Sequence, residues 1–441
     1  MLSIIVGFVF GVILSQINLN EIVDKQNFIV KYIDNSRHEL QFKITDTYKI
    51  DKYNTQYKAI LDKVDNIDID KEILSIITVQ NNFDIEKGYI IISSAYLNKI
   101  DNFEGFAYKD YMLSKNIFFT SYLNYIEVVD KKELSKLDSS LINLREKFLG
   151  VIHKLYPENE ALFLGGILLG AREGLPNDLK TNFNNSGLTH FIAVSGFNIT
   201  ILVVFFSFLF KYFPLVLRVV LITGVIIGFT MLVGDTAPVV RASIMGLIGY
   251  YIMVSGRKGN TWTIVLLTAF IMVLFSPYSL NYDISLHLSF LAVLGIIFTG
   301  DFFKKIFGFL PETLAIKEAF VLTMSAMSFS LPIMIFNFGQ ISLISPISNI
   351  AMAWTIPFAM LFGFISILVY FISPVLGFIV GYIDFIFLRY DMIIVDFFGN
   401  LDWAILKIDA GVYKNYFMLL YFVTLCFIIL YFSGDTKKQA A

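Results

Sequence analysis

From Leu188 to Phe432 the chain is a succession of apolar runs, most of them close to the length of a membrane-crossing helix and separated by short turns. No other feature of the sequence restricts the fold as strongly. In hydrocarbon every backbone N–H and C=O must be satisfied within the protein, and continuous apolar runs without alternation select helices over strands. The predicted spans are Leu188–Phe210, Phe213–Val233, Ala237–Ser255, Thr261–Phe275, Ile284–Thr299, Ala319–Asn337, Leu343–Phe371, Pro374–Ile394 and Tyr416–Phe432. Met1–Leu19 is also apolar, with neither a basic leader region nor a small-residue cleavage site, and reads as an uncleaved anchor. The total is about ten transmembrane helices. Pro346 and Pro357 interrupt Leu343–Phe371, which marks a broken helix.

Composition agrees. Of 441 residues, 56% are hydrophobic and 16% charged, whereas soluble domains carry about a quarter charged residues. One Cys, inside the last apolar run, excludes an internal disulfide. Together with only four His it also excludes a zinc-finger framework.

Between Asn20 and Arg145 the pattern inverts, with 17 Lys/Arg against 20 Asp/Glu and no spanning run. Short alternating segments, Asn27–Ile33, Glu39–Thr45, Glu72–Val79, Gly88–Ala95 and Tyr122–Val129, predict a small β-barrel, and five strands fit the OB type. The expected organisation is an anchor at 1–19, an OB-like β domain at 20–136 and an amphipathic helix with a re-entrant or interfacial segment at 137–187. A transmembrane domain at 188–433 and a tail at 434–441 complete it. With the N-terminus inside, Lys211, Arg257–Lys258, Lys304–Lys305 and Lys437–Lys438 all fall on the inner side. The turns near Gly234, Tyr278 and Gly339 fall outside and carry no Lys or Arg. This obeys the positive-inside rule, and it sets the β domain outside the cytoplasmic membrane.

Polar chemistry concentrates in SGLTHFIAVSGFNIT, Ser186–Thr200, at the mouth of the first long apolar run. His190, Ser195 and Asn198, with Gly187 and Gly196, are costly in hydrocarbon unless they face a cavity, a partner helix or a substrate. They read equally as a polar path and as helix-packing contacts. Arg241, about one turn into a helix after Asp235, reads as a cation facing an aqueous route or as an ion pair with Asp235. Asp283 and His287 share a helix face at i, i+4, with no third ligand to complete a metal site. Asn349 sits beside the Pro346 and Pro357 breaks, where freed backbone groups can line a pore. Arg389 with Asp384 and Asp391 forms a further charged group, as a network or a helix end. No P-loop, GxGxxG or HxHxDH motif is present, so neither an enzyme nor a cofactor is expected. The aromatics Phe103, Phe106, Tyr108, Tyr111, Phe118 and Phe119 suit a stacking platform only beside a positive groove, and the acidic excess favours a core role.

These segments together resemble the ComEC family of competence proteins. The family signature, LGxxxxL…F…GLxHLLAISGLHV, is similar to Gly165–Thr200, GGILLGAREGLPNDLKTNFNNSGLTHFIAVSGFNIT. The likeness continues in APVVRASIMG (Ala237–Gly246), LHLSFLAVLGI (Leu286–Ile296), SLISPISNIAMAWTIP (Ser342–Pro357) and GFAYKDYMLSKNIFFTSYL (Gly105–Leu123). The second histidine of the family's SGLHV is Asn198 here, and the Gln of FQLSF is His287, so roles needing those side chains do not carry over. The resemblance implies a channel for uptake of single-stranded DNA in natural transformation, lined or shaped by His190, Ser195, Asn198, Arg241, His287 and Asn349. It also implies a cytoplasmic DNA-translocating ATPase, an extracytoplasmic DNA receptor and the lipid bilayer as partners. The metallo-β-lactamase-like domain of many members does not follow before Ala441, so a separate nuclease is expected. Two other readings stand beside this one: a related transporter or scaffold for a non-DNA substrate, and an intramembrane hydrolase using Ser195 with His287.

Overall fold

The computed structural model describes residues 16–17, 19–50, 54–80, 83, 85–102, 108–131, 135–171, 174–192, 196–234, 237–256, 261–275, 283–309, 316–408, 421 and 423. By its contacts the chain divides into two units, Met1–Ser140 with Leu266–Ile284, and Leu141–Val265 with Ser285–Ala441.

The first unit is built on a sheet. Its strands are β1 (His38–Ile50), β2 (Asn54–Val64), β3 (Ile67–Asp68), β4 (Leu74–Gln80), β5 (Tyr89–Ala95), β6 (Ile117–Leu123) and β7 (Glu127–Lys131), with helix α1 (Tyr108–Ser114) before β6. The sheet order is β6-β4-β2-β1-β5-β7, with β3 paired to β2, and all pairs are antiparallel except β4 with β6. Alternate side chains build the core: Leu40, Phe42 and Ile44 from β1, Ala59 and Leu61 from β2, Ile77 and Val79 from β4. Asp65 and Asn66 both take positive φ between β2 and β3, the conformation of a tight two-residue hairpin turn. Among the described residues no ladder joins β6 to β7. The sheet is therefore open and seven-stranded, where the sequence predicts a five-stranded barrel.

One predicted strand is a helix. Residues 19–30 are helical and overlap the predicted Asn27–Ile33, because Ile22 and Ile29, two turns apart, bury against the sheet. Lys25 adds an i, i+4 ion pair to Glu21 at 2.7 Å. The predicted strand Tyr122–Val129 is the end of β6 and most of β7 around a turn.

The second unit is helical. Its helices are α2 (Lys136–Leu155, beginning in the first unit), α3 (Glu158–Leu169), α4 (Asn177–Asn185), α5 (Thr189–Ile192), α6 (Gly196–Leu209), α7 (Leu215–Val233) and α8 (Ala237–Val254). After α9 (Thr261–Phe275), which the division of units cuts, follow α10 (Ile284–Ile306), α11 (Ile316–Phe338), α12 (Ser345–Ala353), α13 (Ile356–Ile372) and α14 (Pro374–Gly399). A short ladder joins β8 (Gln340–Ser342) to β9 (Ile405–Lys407).

Among the described residues three helices are long and apolar enough to cross a membrane: Leu215–Val233, Ile284–Ile306 and Lys317–Phe338. The bent pair α12–α13, at 43°, makes a fourth if counted as one span. Their surfaces fit lipid: on α7, Val216, Val220, Ile227 and Met231 point outward while Ile222 and Ile226 are buried. The sequence predicts about ten spans. Within the predicted Leu188–Phe210 the described residues form α5, to Ile192, and α6, from Gly196, and residues 193–195 between them lie outside the described residues. Nearly all of Tyr416–Phe432 and of Met1–Leu19 lies outside the described residues. Pro346 and Pro357 each occupy the first turn of a helix, where the missing N–H costs nothing, and this places the break between α12 and α13.

The core of this unit gathers Phe163, Leu164 and Ile167 of α3, Phe183 of α4, Met352 of α12, Ile367 of α13 and Leu388 of α14. Helix α3 is buried almost all round, as a short apolar helix inside protein should be. Helices α10 and α11 meet backbone to backbone at Gly295, where a Cβ would collide with the Ser325 carbonyl. One turn on, Thr299 Oγ1 and Ser328 Oγ lie 3.1 Å apart.

In the first unit, His38 joins the start of β1 to the β2–β3 turn, with Nδ1 2.7 Å from Asp65 Oδ2 and Nε2 3.1 Å from Asp34 Oδ1. The hydrogen bond to Asp65 raises the His38 value, the same bond depresses Asp65, and hydrogen bonds from Ser36 depress Asp34. The raised imidazole stabilises fully below its unfolded value and loses that contribution as pH climbs through the raised one. The depressed carboxylates contribute above the ordinary carboxylate range and lose it only in stronger acid. The turn is therefore tightest between about pH 4 and 6.5. The Glu39 amide donates to Asp65 Oδ1 at 2.9 Å and reports on this turn. Its hydrogen exchange, corrected for intrinsic rate, is expected to quicken a few-fold from about pH 6 to 8 in the wild type and to be flat in His38→Gln.

Candidate functional site

The polar segment predicted from the sequence begins where α4 ends. Helix ends leave carbonyls unpaired, and inside an apolar unit those groups need partners from the protein. Here they come from the serines of SLISPIS: Ser342 Oγ donates to Asn185 O at 2.7 Å and Ser348 Oγ to Ser186 O at 2.6 Å. Gly187, at φ 74°, turns the chain against this serine stripe. A Cβ there would come within 2.6 Å of Ser345 Cβ, so both the conformation and the close approach require glycine. Two motif segments about 150 residues apart are thus locked together.

From this turn α5 carries His190, exposed, with Nδ1 3.2 Å from Gly187 O and its ring against Phe191. On the other side of the turn Asn349 is 9% exposed; its Nδ2 reaches Ser345 Oγ at 3.4 Å, and its Oδ1 has no hydrogen-bond partner among the described residues. Asn198, in the first turn of α6, points elsewhere. It is 3% exposed and its Nδ2 donates to Ile167 O at 3.0 Å, which ties α6 to α3. One residue later Ile199 packs so tightly on α8 that a Cβ at Gly246 would lie 2.7 Å from its Cγ2. Helix α8 carries Arg241, 6% exposed. Gly196 is in open space among the described residues, where a Cβ would meet nothing within 4 Å. His287 is half-buried in the first turn of α10. Ser195 and Asp235, and with Asp235 the expected ion pair to Arg241, lie outside the described residues.

The charged group on α14 is arranged differently from the sequence expectation. Arg389 pairs not with Asp384 or Asp391 but with Glu160 of α3 at 3.1 Å, and the Glu160 side chain is buried. Glu160 is not singled out by the sequence, and it stands 229 residues from its partner.

No group of three or more His, Cys, Asp or Glu able to hold a metal occurs among the described residues. A crevice bounded by Phe148, Leu168, Ile201, Phe205, Phe229 and Met360 is lined by apolar side chains throughout, so it offers nothing to a phosphate.

A family profile described as competence protein matches residues 167–434. Among curated proteins, ComE operon protein 3 of Bacillus subtilis (strain 168) is 22% identical over 74% of this chain and 44% of its own length. An uncharacterized protein of Aquifex aeolicus (strain VF5) is 28% identical over 48% of this chain and 49% of its own. The chain thus spans about half the length of the curated relatives it matches. No solved structure matches it significantly.

Replacing Gly187 by Ala is expected to destabilise the helical unit by about 2 kcal/mol or more, through strained φ and collision with Ser345. Gly196→Ala should be close to neutral. Thermal unfolding of the full-length protein in detergent, variant beside variant, checks both.

Proposed function

The chain belongs to the competence protein family, and we propose that it is the membrane channel through which single-stranded DNA crosses the cytoplasmic membrane during natural transformation. The observation that carries this reading is the match over 167–434, which contains the locked pair of polar motifs at 185–198 and 342–349. A polyanion needs a wet path edged by cations and hydrogen-bond donors, because bare phosphates do not enter hydrocarbon. His190, Ser195, Arg241, His287 and Asn349 are assigned to that path. Asn198 shapes it by holding α6 to α3. Gly187 gives the segment its turn, Gly196 opens α6, and Asp235 balances Arg241.

The same reading gives the chain about ten spans, with the N-terminus inside and the β unit outside. A cytoplasmic ATPase supplies the driving force and an outer receptor delivers the DNA. The acidic excess of residues 20–145, 17 basic against 20 acidic, favours a second reading in which a related transporter or scaffold serves a substrate other than DNA.

Uptake of labelled single-stranded DNA into proteoliposomes, with a DNA-translocating ATPase supplied, tests the assignment. Wild type is expected to protect DNA inside the vesicles. Arg241→Ala should lower uptake about tenfold or more, the worth of one charge-assisted contact, while remaining folded. No protection by the wild type would select the second reading and withdraw the roles given to these residues.

A further inference from the structure

We propose that the buried face of α14 is a proton-binding site, at which Asp384 and Asp391 are held as neutral carboxylic acids. The two residues are seven apart, two turns along one side of the helix, and both are fully buried.

The hydrogen-bond geometry around Asp391 accommodates a proton on it. Thr355 Oγ1 lies 2.7 Å from Met352 O and is also hydrogen-bonded to Asp391 Oδ1. A threonine hydroxyl has one hydrogen, and both neighbours are acceptors when the carboxyl is ionised. The two contacts coexist if Asp391 donates to Thr355 Oγ1 and Thr355 donates to Met352 O.

Asp384 leads to the same assignment from its surroundings. Ser366 Oγ lies 2.8 Å from both Gly363 O and Tyr156 Oη, so these hydroxyls are engaged with each other and with the α13 backbone. Both Asp384 oxygens, like Asp391 Oδ2, have no hydrogen-bond partner among the described residues. An ionised carboxylate in that position would be buried without compensation. A Cβ on Gly363 would come 3.1 Å from Asp384 Oδ2, so the carboxyl lies against the α13 backbone, with no room on that side for a larger cation.

Nor do the elements packed on α14 supply a counter-charge. Helices α12 and α13 contain no Asp, Glu, Lys or Arg. On α3, Glu160 is taken by Arg389, which is thereby turned away from the two acids, and Glu158 is exposed. On α4, Asp178 and Lys180 are exposed, as are His153 and Lys154 at the end of α2. Asp396, further along α14, accepts from Asn182 Nδ2 at 3.0 Å. The site is independent of what the protein transports, and its test uses no DNA.

Infrared spectroscopy of the full-length protein in lipid nanodiscs, with and without aspartate carrying a heavy-carbon carboxyl label, reads it directly. At neutral pH the wild type is expected to show an undissociated-acid carbonyl band that shifts with the label. Asp384→Asn and Asp391→Asn should each remove part of that band, and the double variant should remove it entirely. A wild type without the band at neutral pH, or variants that fold and keep it unchanged, would overturn the proposal. If neither variant folds, the labelled wild type alone decides by the presence or absence of the shifted band.

Discussion

The carbonyls of Asn185 and Ser186 end a helix inside an apolar unit, and their capture by Ser342 and Ser348 is the contact on which the arrangement of the polar segment depends. Unpaired, each would cost free energy that the surrounding side chains cannot return. Paired, they bring the end of α4 and the turn into α5 against the start of α12, and Gly187 allows the close approach to Ser345. His190 and Asn349 take their positions from that closure, and Asn198 from the next tie, to the end of α3.

Helix α14 organises the other side of the same core. It meets α13, α4, α3 and α12, and its polar residues serve different neighbours. Arg389 reaches Glu160, Asp396 reaches Asn182, and the Gly399 carbonyl accepts from Asn185 at 2.9 Å. Because Asn185 is held at one end by Ser342 and at the other by Gly399, the turn that carries the candidate site is fixed from two directions. That is how a helix with three charged residues in its middle can sit within an apolar unit: each finds a specific partner or a proton.

How much of this could be read in advance differs from element to element. The break at Pro346 and Pro357 was legible, because proline fixes φ and removes a donor wherever it stands. The alternating segments Glu39–Thr45 and Gly88–Ala95 were legible as strands, because one face is buried and the other is not. Residues 27–30 were misread, since three consecutive apolar residues fit both periods and only the contact of Ile22 and Ile29 with the sheet decides. The polar positions of the site stood out in the sequence by their cost in hydrocarbon. Their partners did not: Ile167, Ser345 and Glu160 are ordinary residues until the fold sets them beside Asn198, Gly187 and Arg389.

The meeting of α10 and α11 has a consequence for where anything can pass. At Gly295 the backbone of one helix rests on that of the other with no side chain between them, and the Thr299–Ser328 hydroxyl pair closes the next turn. Such a seam admits neither a file of water nor a strand of phosphates. Helices α10 and α11 are therefore sealed to one another at this crossing.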